Sequence, residues 1–132
     1  NQEWKVFLDT TDEGHFQLAR MGWIGGFLDP TTFLDSMLST SPINRTGFSD
    51  PRYDEIILRD APAELDPAKR MALLQEAETI MIEQVPLIPF YTYKSKHLVQ
   101  PSVRGLGANV LDTVNFKYIS LDPTVEPFNY RN

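Results

Sequence analysis

One short stretch of the chain combines the residue types that could bind a ligand. It reads Arg20-Met21-Gly22-Trp23-Ile24-Gly25-Gly26-Phe27-Leu28-Asp29-Pro30. Glycine residues lack a Cβ and let another backbone approach closely, and a tryptophan places a broad apolar face beside them. This combination is typical of a site for an extended, peptide-like ligand. On local chemistry alone, the alternative is a buried tryptophan on a core strand that ends in a tight turn.

Other groupings that could carry chemistry are weak. His15 and His97 are the only histidines, they lie far apart, and no pattern of histidine or acidic residues has metal-ligand spacing. The absence of cysteine excludes disulfides, zinc–thiolate sites and cysteine nucleophiles. The stretch 105–107 lacks the third glycine of a dinucleotide-binding loop, and no nucleophile elbow occurs. The sequence therefore predicts no metal, no cofactor and no catalytic residue, and so a protein that is not an enzyme.

Five aspartates could be paired on paper as acid and base: Asp29, Asp35, Asp50, Asp54 and Asp66. Three of them, Asp29, Asp50 and Asp66, are followed directly by proline. Aspartate at the N-cap and proline at the first helical position form a common helix start. Capping accounts for these three without any catalytic role.

Composition limits the class of protein. The chain has 132 residues, of which 42% are hydrophobic and 23% charged, and this is ordinary globular composition. The net charge is −6 with no long basic run, which argues against binding of nucleic acid or of anionic membranes. No apolar run approaches the length of a membrane span.

Hydrophobic periodicity predicts alternating helices and strands. The predicted helices cover residues 1–9, ended by the polar stretch 10–14, then 31–38, a segment opened by Asp50-Pro51, and 67–84. The predicted strands cover 16–24, 87–93, 97–99 and 114–120, with a connecting loop at 101–108. In the longest helix the apolar face consists of Leu73, Leu74, Ala77, Ile80 and Met81.

Five segments, in this order and spacing, resemble the C-terminal part of the family 5 extracellular solute-binding proteins. These are the periplasmic oligopeptide- and dipeptide-binding proteins of ABC importers. The segments are 1–5, 20–30, 44 with 50–54, 69–78, and 85–89. The resemblance implies an α/β fold (mixed α+β), namely the C-terminal lobe of a periplasmic-binding-protein-like fold with a mixed sheet and flanking helices. It implies a lobe fragment over 1–122 and a loose C-terminal tail over 123–132.

The resemblance also implies roles for individual residues. In peptide-binding members, the strand that matches residues 20–24 lines the cleft and pairs with the bound peptide as an added strand. Gly22, Trp23 and Ile24 would then offer backbone N–H and C=O groups to the ligand main chain, with Trp23 lying over it. Arg20 matches a position that binds the ligand's C-terminal carboxylate in some members. The alternative for Arg20 is a surface or inter-lobe salt bridge.

One position departs from the family pattern. Peptide-binding members carry an aspartate that holds the ligand's α-ammonium group where this chain has Gly26, and Phe27 replaces the usual tyrosine. A buried ammonium without a counter-charge is costly. The departure leads to the hypothesis that a free peptide N-terminus is not recognised in the usual way. Asp29 lies three residues further on, but its expected role as a helix cap argues against its replacing the missing aspartate as the partner of the ammonium group.

The predicted function is therefore solute binding for ABC-transporter import, most simply of peptides, by closure of two lobes around the ligand. The partners would be the peptide, the membrane permease and the remaining lobe, in the periplasm or outside the cell on a lipoprotein anchor. The alternatives are a blocked or modified peptide, a non-peptide solute such as an oligosaccharide or an opine-like compound, or a sensory or interaction module with this fold.

Overall fold

A computed structural model of the chain describes residues 1–107, 109 and 111–126. The chain forms two compact units, residues 1–90 and residues 91–132. Each unit is built differently, the first from helices and the second around a small strand pair. The predicted lobe boundary at residue 122 stays a prediction, and residues 127–132 of the predicted tail lie outside the described residues.

The first unit contains five short or medium helices. They are α1 (Trp4–Asp12), α2 (Thr31–Leu34), α3 (Pro51–Glu55), α4 (Ala61–Ala63) and α5 (Pro67–Gln84). A 3₁₀ turn, Asp35–Met37, continues α2, and a π turn, Ile56–Asp60, joins α3 to α4. Over the described residues, no helix has the length and apolar character needed to cross a membrane.

Helix α1 extends further than predicted. The polar stretch 10–14 was expected to end it near residue 9, but the helix continues to Asp12. The hydroxyls of Thr10 and Thr11 donate to the helix carbonyls of Val6 and Leu8, at 2.7 and 3.0 Å. These bonds satisfy the threonine side chains within the helix, so the two residues remain helical.

Two of the three Asp-Pro helix starts are confirmed as predicted. The Asp50 carboxylate accepts from the backbone N–H groups of Arg52 and Tyr53, and the Asp66 carboxylate accepts from those of Ala68 and Lys69. In each case proline follows at the first helical position. These contacts use backbone donors that the helix itself leaves unpaired.

The end of α5 also follows from the sequence. The helix was predicted to run to Gln84, as it does, and Val85 then turns to a left-handed conformation with φ of 54°. Pro86 disfavours a right-handed helical conformation at the residue before it. A left-handed residue closes the helix, although its β-branched side chain makes this geometry uncommon.

Helix α5 packs on the segment 51–63 and on α2 to form the core. Tyr53, Ile56 and Ala61 are fully buried, and the Tyr53 hydroxyl donates to the backbone carbonyl of Leu34 at 2.6 Å. The predicted apolar face of α5 is confirmed, since Leu74, Ala77 and Met81 are buried and Leu73 and Ile80 pack against them. The core members are Leu34, Met37, Leu38, Phe48, Tyr53, Ile56, Ile57, Ala61, Leu74, Ala77 and Met81.

Asn44 holds the loop between α2 and α3. Its side-chain amide donates to the backbone carbonyls of Met37, Leu38 and Phe48, at 3.2, 3.1 and 2.8 Å. Its side-chain oxygen accepts from the backbone N–H and the hydroxyl of Thr46. One side chain thus satisfies loop groups on both sides of a turn and places Phe48 edge-on against Tyr53.

Three of the four predicted strands are wrong in position, and the fourth overlaps the observed pairing only at Ser120. Residues 16–24, 87–93 and 97–99 are not paired as strands, and 114–120 contains a 3₁₀ turn, Phe116–Tyr118. The pairing that occurs joins β1 (Val103–Arg104), inside the predicted loop, to β2 (Ser120–Leu121). A strand needs a partner for its backbone N–H and C=O groups, and the described residues supply none at the first three predicted places.

In the second unit, β1 and β2 are antiparallel, with Val103 opposite Leu121 and Arg104 opposite Ser120. Gly105 follows β1 with φ of 79°, and a Cβ there would lie 1.9 Å from the carbonyl oxygen of Tyr118. Glycine is therefore required for the two segments to approach this closely.

We expect Asn44→Asp to destabilise the protein by about 2 kcal/mol, because it replaces an amide donor with an oxygen facing three carbonyls. Asn115→Asp is the matched control, since the Asn115 side chain accepts from the Lys117 backbone N–H through its oxygen, which aspartate keeps. Guanidinium denaturation measures both changes. Equal stability of the two variants would contradict the role given to Asn44.

Candidate ligand-binding site

The predicted site residues lie on one extended segment of the first unit. We call residues 20–26 the site segment; it is neither helix nor paired strand. Among the described residues, the backbone groups of Gly22, Trp23 and Ile24 make no hydrogen bond. Ile24 is 86% exposed, and the Arg20 side chain is also exposed. The segment therefore presents main-chain donors and acceptors to its surroundings.

Thr32, in the first turn of α2, fixes the geometry of the site segment. The indole Nε1 of Trp23 donates to the Thr32 carbonyl at 2.7 Å, and the Gly26 N–H donates to the Thr32 hydroxyl at 2.9 Å. Thr32 itself is buried. Because the indole N–H of Trp23 is hydrogen-bonded, the half-exposed ring is held in one orientation with part of its surface uncovered.

The two adjacent glycines have different surroundings. A Cβ at Gly25 would lie 3.0 Å from the Thr32 methyl and 3.1 Å from the Phe33 ring, whereas a Cβ at Gly26 would meet nothing within 4 Å. Gly25 thus permits close packing on α2. Among the described residues, no side chain fills the space beside Gly26.

Asp29 connects the end of this region to α5. Its carboxylate accepts two hydrogen bonds from the Arg70 guanidinium, at 2.8 and 3.0 Å, and others from the backbone N–H and hydroxyl of Thr31. The hydrogen bond from Arg70 is the main cause that holds the pKa of Asp29 far below its usual range. Helix α2 begins at Thr31, as the predicted bounds 31–38 have it, but it ends at Leu34 and Pro30, not Asp29, occupies the N-cap position. The Asp29 side chain still receives the N–H of the first helical residue, while the Arg70 contact was not predicted.

A depression of about 400 Å³ lies beside the site segment. Trp23, Ile24, Gly26, Phe27 and Asp35 are among the residues that line it. Three predicted site residues, Trp23, Ile24 and Gly26, are thus brought together around one concavity. We call it the Trp23 depression. Arg20 and Gly22 are not part of its lining.

A second depression of similar volume, bounded by Gly14 and Pro86, contains none of the predicted residues. Its cation, Arg45, forms an ion pair with Asp12. Among the described residues, no cluster of three or more His, Cys, Asp or Glu side chains could hold a metal ion. The Trp23 depression is therefore the candidate site.

Sequence reasoning missed several residues of this site, and Asp35 is the charged one among them. Asp35 was considered only as half of a hypothetical acid–base pair, yet it lines the Trp23 depression. Its spacing of three residues from Thr32 was a usable signal, because residues three apart share a helix face. Thr32 in turn holds Trp23 and Gly26, so the spacing placed Asp35 near both.

Comparison with known proteins identifies the class of this chain. No model of a protein family matches it. It is 40% identical to the periplasmic oligopeptide-binding protein OppA of Escherichia coli over 113 residues, which are 85% of this chain and 21% of OppA. It is 37% identical to the periplasmic murein peptide-binding protein MppA of the same organism over 109 residues, 83% of this chain and 20% of MppA. The chain thus spans about a fifth of the length of these relatives.

Solved structures agree with this assignment. The unliganded open form of MppA matches 92% of this chain and 24% of its own with a TM-score of 0.76 and 33% identity. Haemophilus influenzae OppA in complex with the peptide RPPGFSPFR matches the same shares with a TM-score of 0.77 and 28% identity. The chain is similar to a C-terminal part of the family 5 periplasmic peptide-binding proteins. The predicted fold class, a mixed α+β piece of a periplasmic-binding-protein lobe, is confirmed.

We expect the two glycines of the site segment to respond oppositely to alanine. Gly25→Ala should destabilise the protein by about 1 kcal/mol, because the added methyl crowds Thr32 and Phe33. Gly26→Ala should be neutral or stabilise by about 0.5 kcal/mol, because the methyl enters open space and restricts the unfolded chain. Thermal denaturation of the pair tests this, and equal effects would contradict the packing described here.

We expect Arg70→Met to cost about 1–2 kcal/mol at pH 7 by removing two charge-assisted hydrogen bonds to Asp29. Arg59→Met is the control, since Arg59 is 75% exposed and its ion pair with Glu55 should contribute less than about 0.5 kcal/mol.

The cost of Arg70→Met should also depend on pH. A depressed folded-state pKa stabilises the protein above the unfolded pKa of about 4 and loses that effect as pH falls toward the folded value. The difference between wild type and Arg70→Met should therefore shrink from pH 5 to pH 2.5 in urea denaturation. A constant difference over this range would refute the ion-pair account.

Proposed function

We propose that this chain forms one wall of the ligand cleft in a periplasmic peptide-binding protein that delivers its ligand to an ABC importer. The observation that carries the proposal is the unpaired backbone of Gly22, Trp23 and Ile24 beside the Trp23 depression. An extended peptide can add to such an edge by main-chain hydrogen bonds. The names of the relatives, which are peptide-binding proteins, support the same class of ligand.

Main-chain pairing suits a receptor that accepts many peptide sequences. Backbone groups are the same in every peptide, so they contribute affinity without selecting side chains. The half-exposed ring of Trp23 would cover the ligand, and the Arg20 guanidinium would bind its terminal carboxylate. In this proposal the protein binds and releases its ligand without a chemical step.

The remaining lobe would supply the opposite wall, and closure of the two lobes would enclose the ligand. The membrane permease would then receive the ligand from the closed protein. The periplasmic names of the relatives support a periplasmic location. The alternative location is the outer face of the membrane, where a lipoprotein anchor would hold the protein. The sensory module considered from the sequence gains no support from the relatives. A non-peptide solute is the alternative ligand class, since the probable deoxycholate-binding periplasmic protein YgiS of Escherichia coli is 38% identical to this chain over 103 residues.

Native mass spectrometry of the full-length protein tests the class of ligand. Gentle purification should retain a series of ligands whose masses differ by amino-acid residues. A single non-peptide mass would contradict the proposal.

We expect Trp23→Ala in the full-length protein to weaken binding of trialanine about 10-fold to 100-fold, because an aromatic anchor at the cleft is lost. Trp4→Ala is the matched control, since Trp4 is 66% exposed on α1 and stacks on Phe7 away from the Trp23 depression. Isothermal titration calorimetry measures both affinities. An equal loss in the two variants, or none in Trp23→Ala, would argue against a ligand at this edge.

A further inference from the structure

Asp35 is an exposed residue that lines the Trp23 depression. It lies where α2 passes into the 3₁₀ turn Asp35–Met37. Among the described residues its side chain forms no ion pair and accepts no hydrogen bond. Loss of hydration, with a smaller effect of the nearby Asp29, raises the pKa of Asp35 above its usual value. A cation that reaches this exposed carboxylate can donate a charge-assisted hydrogen bond to it.

Asp29, the neighbouring carboxylate, differs from Asp35 in this respect. Two hydrogen bonds from Arg70 and two from Thr31 occupy the oxygens of Asp29. The Asp29 carboxylate is thus occupied by contacts within the protein. Asp35 is the carboxylate that remains available to a ligand in this part of the described chain.

The surroundings of Asp35 fit an alkylammonium group. The lining of the Trp23 depression includes, besides Asp35, the half-exposed indole of Trp23 and the apolar side chains of Ile24 and Phe27. A carboxylate accepts charge-assisted hydrogen bonds from an ammonium, and an indole face attracts the same cation. Apolar walls accommodate the carbon atoms attached to the nitrogen. The open space at Gly26 leaves room for the group to enter.

We propose that Asp35 binds a primary ammonium group of the ligand in the Trp23 depression. It would replace the aspartate that peptide-binding members carry at the position of Gly26. The proposal rests on the proposed function, peptide binding, and names the group that this site reads. The counter-charge is displaced from the site segment to the 3₁₀ turn that follows α2. The ammonium belongs either to the amino terminus of a peptide or to a lysine-like side chain, and the chemistry at Asp35 is the same for both.

The experiment compares three peptides on the full-length protein by isothermal titration calorimetry: trialanine, N-acetyl-trialanine and N-acetyl-Ala-Lys-Ala. Asp35→Asn removes the charge and keeps the shape. Asp9→Asn, on the exposed surface of α1, removes the same charge elsewhere and is the matched control. Circular dichroism and melting temperature establish that each variant is folded, and Asp35→Ser replaces Asp35→Asn if the latter fails to fold.

Asp35→Asn should weaken binding of an ammonium-bearing peptide at least about 10-fold and leave N-acetyl-trialanine within about 2-fold, while Asp9→Asn changes neither. Loss on trialanine assigns the amino terminus, and loss confined to N-acetyl-Ala-Lys-Ala assigns the side-chain ammonium. The double variant Gly26→Asp with Asp35→Asn should recover the lost affinity, because it returns a carboxylate to the same depression.

Two results would overturn the proposal and can be told apart from failure of the proposed function. If wild type binds peptides but Asp35→Asn binds all three with unchanged affinity, Asp35 is not the ammonium site and peptide binding stands. The same holds if Asp9→Asn causes an equal loss. If wild type binds none of the three peptides, the proposed function itself fails.

Discussion

The ion pair between Asp29 and Arg70 joins the helical core of the first unit to its site segment. The geometry of the candidate site depends on this ion pair. On one side lies the helical core, where α5 packs against Tyr53 and its neighbours. On the other lies the site segment, which has no regular structure of its own. Because Asp29 is held by two hydrogen bonds from α5 and also receives the first N–H of α2, it fixes where α2 starts. Thr32, on that helix, then fixes Trp23 and Gly26.

Much of the helical part could be predicted from the sequence, since its signals are local. The pairs Asp50-Pro51 and Asp66-Pro67 define helix starts within a few residues, and the apolar spacing of α5 defines its buried face. The strands could not be predicted in this way. Residues 16–24 have the composition of a strand, but pairing depends on a partner that composition does not supply. The extension of α1 was missed because threonine hydroxyls can bond back to the helix, an effect that counts of polar residues ignore.

The site was predicted in part for a related reason. Trp23, Ile24 and Gly26 stand close in sequence, so their shared location follows from a single extended segment. Arg70 reaches Asp29 from 41 residues away, and no local pattern announces such a contact. Asp35 joins the residues of the site segment only in the folded chain, where it lines the same depression. Long-range ion pairs and the lining of a depression are properties of the folded chain.

The unpaired backbone of residues 22–24 has a consequence for the behaviour of this chain in isolation. An exposed strand edge pairs with any extended chain, and a second copy offers the same donors and acceptors as a peptide. Apolar side chains such as Ile24 and Phe90, 86% and 84% exposed, add to the attraction between copies. The feature that suits a receptor of many sequences thus also makes the separated segment prone to aggregation. Solubility and ligand selectivity would both depend on what closes over this edge.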